Sequence, residues 1–260
     1  MNEISKTLFI PFYFKYKESI GKKTLYDKEA IDFFSKKQSK NILNFPLIDK
    51  DINSFIGILS RTHIIDLYLL DLIDSCKIDN IFNIGCGLDF RNRRLDIKKS
   101  WFNIDLDEVI SFRNNNFSPF PYETNIKANI LNTINWNFIP YSTNVFILEG
   151  ILMYFSEEEV YTIIRNLINK SKKAYFIIET SPEEMTLIKH PSVETINKNL
   201  YFKWGTNNIS SFSEKVNLKC LKSNKHIDFY KDRWITPDKE NEINKIIKNN
   251  FRVSLFESIK

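Results

Sequence analysis

The sequence predicts an α/β fold built on a mostly parallel sheet. Three observations carry this. An apolar run, Ile81 to Ile84, stops at two glycines spaced one apart, Gly85 and Gly87. Beyond it, strand-like segments alternate with helical ones, the pattern of βαβ units. Two later apolar runs, Trp101–Asp105 and Asn144–Glu149, each end in a carboxylate.

Residues 1 to about 55 read as mostly helical, with interruptions near Gly21 and Pro46. Asp27 is placed to cap a helix that runs through Ile31, Phe33 and Phe34. The clearest amphipathic helix spans about 54–75, where Ile64, Ile65, Tyr68, Leu69, Leu72 and Ile73 share one face and Asp66, Asp71 and Asp74 lie elsewhere. The strands then follow: 81–84, 101–105, a weak third at Lys127–Ile130, 144–149 and 174–179. A helix-compatible basic segment, Arg91–Lys99, comes after the first. Ser156-Glu157-Glu158-Glu159 opens the helix 156–170 as a capped, acidic first turn. Residues 181 to about 215 carry Pro182, Pro191, Trp204 and Gly205 without steady periodicity and read as a lid over a site. The alternating end, Phe251–Phe256, closes the sheet at or near an edge. With no internal repeat and no low-complexity linker, 1–260 reads as one domain: a helical cap to about 55, a core over 56–180, the lid, and C-terminal strands from about 216.

Composition narrows the function classes. Of 260 residues 43% are hydrophobic and 14% aromatic, which excludes a disordered chain. The net charge is +5, but the basic residues are scattered, so nucleic-acid binding is not indicated. Cys76, Cys86 and Cys220 are odd in number and far apart, which supports neither a disulfide framework nor a metal site and suits a reducing cytoplasm. The N-terminus lacks a basic n-region, and Pro11, Lys15 and Lys17 break its apolar patch, unlike a signal peptide. No apolar run approaches the roughly 20 residues of a membrane helix. A soluble cytoplasmic protein is expected, and its oligomeric state is left open.

A glycine turn at the carboxyl end of a parallel strand is where open α/β sheets bind nucleotides. Asp105 lies 18 residues beyond Gly87, close to the roughly 20-residue offset at which a carboxylate accepts from ribose hydroxyls. That suits NAD or S-adenosylmethionine. A dinucleotide fingerprint wants Gly or Ala at position 90, with the pyrophosphate against a helix N-terminus. Phe90 stands there, and Asp89 puts negative charge where a phosphate would go. A ligand with a ribose and no phosphate fits better, and S-adenosylmethionine is one.

Gly85-x-Gly87-Leu88-Asp89-x-Arg91-x-x-Arg94-Leu95 resembles the signature of the leucine carboxyl methyltransferase family, including its bacterial branch typified by the tetracenomycin polyketide O-methyltransferase. The likeness continues at Ser60-Arg61-Thr62, at Phe102-Asn103-Ile104-Asp105 with Val109-Ile110, and most strongly at Leu148 to Phe155. It covers about residues 55–180, with an echo at Leu25–Ala30. The resemblance implies a class I methyltransferase (Rossmann-like) sheet of seven strands, mostly parallel, with helices on both faces, an N-terminal helical cap and an inserted lid. It implies S-adenosylmethionine as cofactor and direct transfer of its methyl to a carboxylate or hydroxyl of a small, possibly polyketide-type, molecule. Arg61 would hold the cofactor's carboxylate through its fork geometry. Gly85, Cys86 and Gly87 would form the turn beneath the methionine portion. Asp105, with Leu106, would take the ribose. Asn129 and Ile130 would contact adenine, where the family has Asp-Leu. Glu149 would approach the cofactor's amino group, and Tyr154, with Arg61, would sit at the reacting end.

Blander roles are assigned elsewhere. Asp89 is as well placed to cap the next helix as to meet a ligand, Arg91 and Arg94 read as helix-surface or ion-pair residues, and Cys86 as a small turn residue. A hydroxyl acceptor would need a general base, for which His63 and His190 are the candidates. The rivals are a protein C-terminal carboxyl methyltransferase, a nicotinamide-dependent oxidoreductase, and a catalytically silent methyltransferase-like binding protein.

Overall fold

The computed structural model describes residues 7–22, 24–36, 48–194, 200–235 and 242–259. Two helices lead, α1 (Phe9–Ile20) and α2 (Lys28–Phe34). Asp27 caps α2 by accepting from the Ala30 N–H. α1 ends at Gly21, whereas the interruption expected at Pro46 lies outside the described residues. The long α3 (Ile52–Ser75) comes next, capped by Asp51. There follow β1 (Asn80–Ile84), the short α4 (Arg91–Arg94), β2 (Ser100–Asp105), α5 (Asp107–Asn116), β3 (Glu123–Lys127) and β4 (Thr143–Leu148). The chain continues through α6 (Glu157–Asn169), β5 (Lys173–Thr180), α7 (Pro191–Glu194), α8 (Ile209–Lys215), β6 (Leu218–Lys225), α9 (Glu242–Asn250) and β7 (Arg252–Ser258).

The seven strands form one sheet in the order β3-β2-β1-β4-β5-β7-β6. β3 through β5 pair in parallel, and β7 runs antiparallel between β5 and β6. The strand order reverses between β1 and β4, the switch point at which such sheets open a crevice outside their carboxyl edge.

In-register pairing aligns Phe102, Phe82, Phe146, Phe176 and Phe256 across five strands. Their ring centroids lie 4.8, 5.3 and 5.1 Å apart from Phe102 through Phe176, the first two pairs stacked and the third tilted. α6 and α8 cover this face with Val160, Ile163, Ile164, Leu167 and Phe212. The opposite face carries Ile81, Val145, Ile147, Ile177 and Leu255 against Ile64, Ile65, Tyr68 and Leu69 of α3. α1 and α2 pack Phe9, Phe12, Phe33 and Phe34 on Leu88 and Phe90, just past β1. α6 opens with the expected capping box between Ser156 and Glu159.

Several expectations require correction. The third strand is Glu123–Lys127, not 127–130, because the Asn129 side chain accepts from the Leu131 N–H and starts a 3-10 turn over Ile130–Asn135. The helix expected over 91–99 is a single turn, ended by Asp96 in the left-handed region at φ +49°. β6 falls within the C-terminal strands expected from about 216, although its exposed lysines hide any alternation that would have fixed its bounds, and it takes the sheet edge beyond β7. The last part of the expected lid, Ile209–Lys215, is instead α8, whose Ile209 and Phe212 belong to the core. No helix among the described residues is long and apolar enough to cross a membrane.

Phe146 sits at the centre of the aromatic row and is fully buried. Phe146→Ala is expected to cost about 3–5 kcal/mol, measured as a fall in the urea midpoint at unchanged m-value.

Candidate functional site

Along the carboxyl edge of the sheet the strand order fixes the order of the side chains. Asn129 follows β3, Asp105 ends β2, and Gly85 and Gly87 follow β1. Glu149 follows β4, Glu179 is the second-last residue of β5, and His226 follows β6. These residues line one cavity of about 690 Å³. All ten residues expected at the site line it: Arg61, Gly85, Cys86, Gly87, Asp105, Leu106, Asn129, Ile130, Glu149 and Tyr154.

The glycine turn is sterically required. Gly85 has φ +65°, and a Cβ there would fall 2.0 Å from Ile151 Cδ1. Gly87 has φ +47° and lies beneath Leu8, whose Cβ would be 3.3 Å from an added one. Only glycine adopts both positions without strain. Asp105 braces the turn: one carboxylate oxygen accepts from the Gly87 N–H and the other from the Leu106 N–H, both at 2.8 Å. Burial pushes its carboxyl up, and these two N–H groups oppose that. The thiol of Cys86, fully enclosed, is also pushed up by burial, so it is no nucleophile.

A continuous chain of buried charges runs under the cavity. Lys15 of α1 bonds Asp89 at 2.8 Å, and Asp89 bonds Arg91 at 2.8 Å. Arg91 bonds Glu149 at 2.7 Å, Glu149 bonds Arg61 Nε at 2.9 Å, and Arg61 Nη1 lies 3.0 Å from Glu179. Asp66 of α3 closes the far side against Arg91 and Arg94. The Gly150 N–H donates to Glu179 at 2.7 Å. Arg91 is 0% exposed, so it is the hub of the site rather than a helix-surface residue. Asp89 caps no helix: its oxygens accept from Lys15, Asn83 and Arg91. Despite burial, which opposes ionisation, the neighbouring guanidinium groups hold Glu149 down at about 2 and Asp89 well below the carboxylate range. Glu179 shifts the other way, because burial outweighs its contact with Arg61.

The other end of the cavity is apolar. Met153, Tyr154, Met185, Val193 and Phe202 form its wall, with Ile247 of α9. The loop after β5 is held there by the Ser181 hydroxyl on the Trp204 carbonyl and by the Lys203 N–H on the Met153 carbonyl. Burial pushes the Tyr154 phenol up to about 12, and its ring meets Phe202 edge-on. Of the histidines weighed as bases, His63 packs on Phe229 and Tyr230 and does not line the cavity, whereas His190 does. Lys15, Glu179 and His226 were missed. Lys15 precedes the recognisable pattern, Glu179 ends an ordinary apolar strand, and His226 follows a strand that carries no periodicity. No group of three or more His, Cys, Asp or Glu among the described residues could hold a metal.

The sequence model of the leucine carboxyl methyltransferase family matches residues 19–168, more than half of the chain. The chain belongs to that family. Its fold is that of class I methyltransferases. A DUF574 family protein from Streptomyces avermitilis superposes with a TM-score of 0.59 at 10% identity, over 95% of this chain and 97% of that one. Magnesium protoporphyrin IX methyltransferase from Synechocystis PCC 6803, solved with bound SAM, gives 0.52 at 11% identity over 98% and 97%. The CcbJ methyltransferase from Streptomyces caelestis gives 0.52 at 8% identity over 77% and 90%. No curated protein matches the sequence.

The buried charges make stability pH-dependent. Glu149 and Asp89 have depressed pKa values in the folded state, so their contribution is present above the unfolded carboxylate range, near 4, and is lost as pH falls towards 2. His226, pushed down to about 3 by burial and by Arg61, adds a loss that begins below roughly 6.5. Thermal midpoints should fall from pH 6.5 to 2.5, a loss offset in part by Glu179 and Asp105, whose raised carboxyls favour the fold once protonated. Arg91→Met should destabilise by about 3–5 kcal/mol and flatten the acid limb; an unchanged limb would show that the chain does not carry it.

Proposed function

We propose that this protein is an S-adenosylmethionine-dependent O-methyltransferase acting on a carboxylate or hydroxyl of a small molecule. The observation that carries the reading is the row of groups at the switch point, in a member of a methyltransferase family. A side-chain-free turn at Gly85 and Gly87, a braced carboxylate at Asp105 and a second carboxylate at Glu149 stand side by side on one cavity. The donor set fits the cofactor. Asp105 would accept from ribose hydroxyls, Leu106, Asn129 and Ile130 would border the adenine, and Glu149 would face the amino group. Arg61 donates through Nε and Nη1 to Glu149 and Glu179, and its Nη2 bonds to nothing among the described residues. That nitrogen would hold the cofactor's carboxylate. Asp89, turned into the charge chain and away from any helix start, leaves no phosphate site there, which argues against a dinucleotide.

When bound, S-adenosylmethionine supplies a methyl on a sulfonium, and the carbon–sulfur bond breaks with its electron pair returning to sulfur as the new oxygen–carbon bond forms. The protein's contribution is placement and exclusion of water. The turn and Arg61 orient one reactant, while Tyr154 and the apolar wall hold the other against it. In this reading the chain is one domain, with 181–194 and 200–208 as its lid, and the apolar wall of the cavity favours a small acceptor, of polyketide type among others, over a protein tail.

Calorimetric titration tests the assignment. S-adenosylmethionine and S-adenosylhomocysteine should bind in the micromolar range, and NAD should not. Asp105→Ala should weaken both by about tenfold or more, the scale of one or two lost hydrogen bonds to a charged group. Gly85→Val should abolish binding. NAD binding without the other two would replace this reading with an oxidoreductase.

A further inference from the structure

A guanidinium beside carboxylates prefers to give one of them two parallel N–H bonds, as a fork. Arg61, buried between Glu149 and Glu179, does not. Its Nε donates to Glu149 at 2.9 Å. Its Nη1 lies 3.1 and 3.0 Å from the two oxygens of Glu179, so a single nitrogen meets that whole carboxylate. Nη2 bonds to nothing among the described residues. Glu179 is 1% exposed, so solvent does not set the direction in which it points.

Gly150, next to Glu149, accounts for both features. Its N–H donates to Glu179 Oε2 at 2.7 Å and ties that carboxylate to the backbone just past β4. Anchored there, Glu179 offers its oxygens to Nη1 alone. Gly150 also lies directly against the guanidinium. With φ at +67°, a Cβ on it would stand 3.3 Å from Nη2, 3.5 Å from Nη1 and 3.6 Å from Cζ of Arg61. The atom it would crowd most is the unbonded nitrogen. On the opposite side Glu149 is itself held, its other oxygen accepting from Arg91 at 2.7 Å. His226 takes no share in this, since its Nε2 stands 3.7 Å from Glu179 Oε1, beyond hydrogen-bonding distance.

We infer that Glu179 and Gly150 are positioning residues of this site, which together hold the Arg61 guanidinium so that Nη2 is left for the carboxylate of the cofactor. The inference rests on the methyltransferase reading above. Both residues act through Arg61. Without the Glu179 carboxylate, Nη1 has no partner, and the guanidinium is free to turn its paired nitrogens onto Glu149, which now holds it through Nε. The donor for the ligand is then engaged inside the protein. With a methyl group at 150, Nη2 is covered directly.

Two ligands separate positioning from folding: S-adenosylhomocysteine, and its analogue that lacks only the amino-acid carboxylate. Calorimetric titration compares them on wild type, Glu179→Ala, Glu179→Gln and Gly150→Ala. Wild type should prefer S-adenosylhomocysteine by about tenfold or more, the scale of one hydrogen bond to a charged group. In Glu179→Ala and Gly150→Ala that preference should shrink to about twofold or less, while the decarboxylated analogue binds as it does to wild type. Glu179→Gln keeps an acceptor oxygen for Nη1 and the Gly150 N–H, and should restore most of the preference. If wild type binds neither ligand, the methyltransferase reading falls, and this inference with it. If wild type binds both alike, or the alanine variants keep the preference, the reading stands and the positioning role is overturned. Equal loss of both ligands in the alanine variants, the mark of a purely structural role, overturns it too. So does a Glu179→Gln protein that behaves like Glu179→Ala.

Discussion

The buried run of alternating charges, Lys15–Asp89–Arg91–Glu149–Arg61–Glu179, is the constraint on which the site depends. Each member comes from a different place: α1, the turn after β1, α4, the end of β4, α3 and the end of β5. A buried charge without its partner costs several kcal/mol, so none of these elements can shift alone. The chain therefore sets the position of α1 and α3 relative to the sheet edge more tightly than apolar packing would. It also leaves Glu149 ionised although it is buried, where a carboxylate without those partners would take up a proton.

The sheet supplies the frame in which that chain works. The row from Phe102 to Phe256 and the α3 face lock strand register, because a one-residue slip would turn every phenylalanine to the wrong side. Fixed register then places Gly85, Asp105, Glu149 and Glu179 at one level along the carboxyl edge. The antiparallel β7 and its neighbour β6 extend the edge past the last parallel strand. They bring Phe251 and His226 to the apolar end of the cavity. Polar groups that suit a nucleoside and amino acid thus occupy one half, and an apolar chamber bordered by His190 and His226 occupies the other.

Legibility in the sequence followed the locality of the signal. The turn at Gly85 and Gly87, the carboxylates closing β2 and β4, the capped α6 and the amphipathic α3 are each encoded within a few residues, and the family signature spans the same stretch. Those features stand where they were expected. β3 and α4 were misplaced because their ends depend on single side chains, the Asn129 amide and the left-handed Asp96, that override the local pattern. α8 was taken for lid because its seven residues are too few to show a helical period.

What the sequence by itself determined is the order of elements, the switch point and ten residues that come to line the cavity at the carboxyl edge, since strand ends and glycine turns are short-range features. Only the tertiary structure decided that Arg91 is a buried hub rather than a surface cation, that Lys15 reaches Asp89 across 74 residues, and that His226 faces Glu179. Such pairings join elements distant in the chain. Their residue types are common on any surface, and burial, which alone makes them strong, is not visible until the sheet has closed over them.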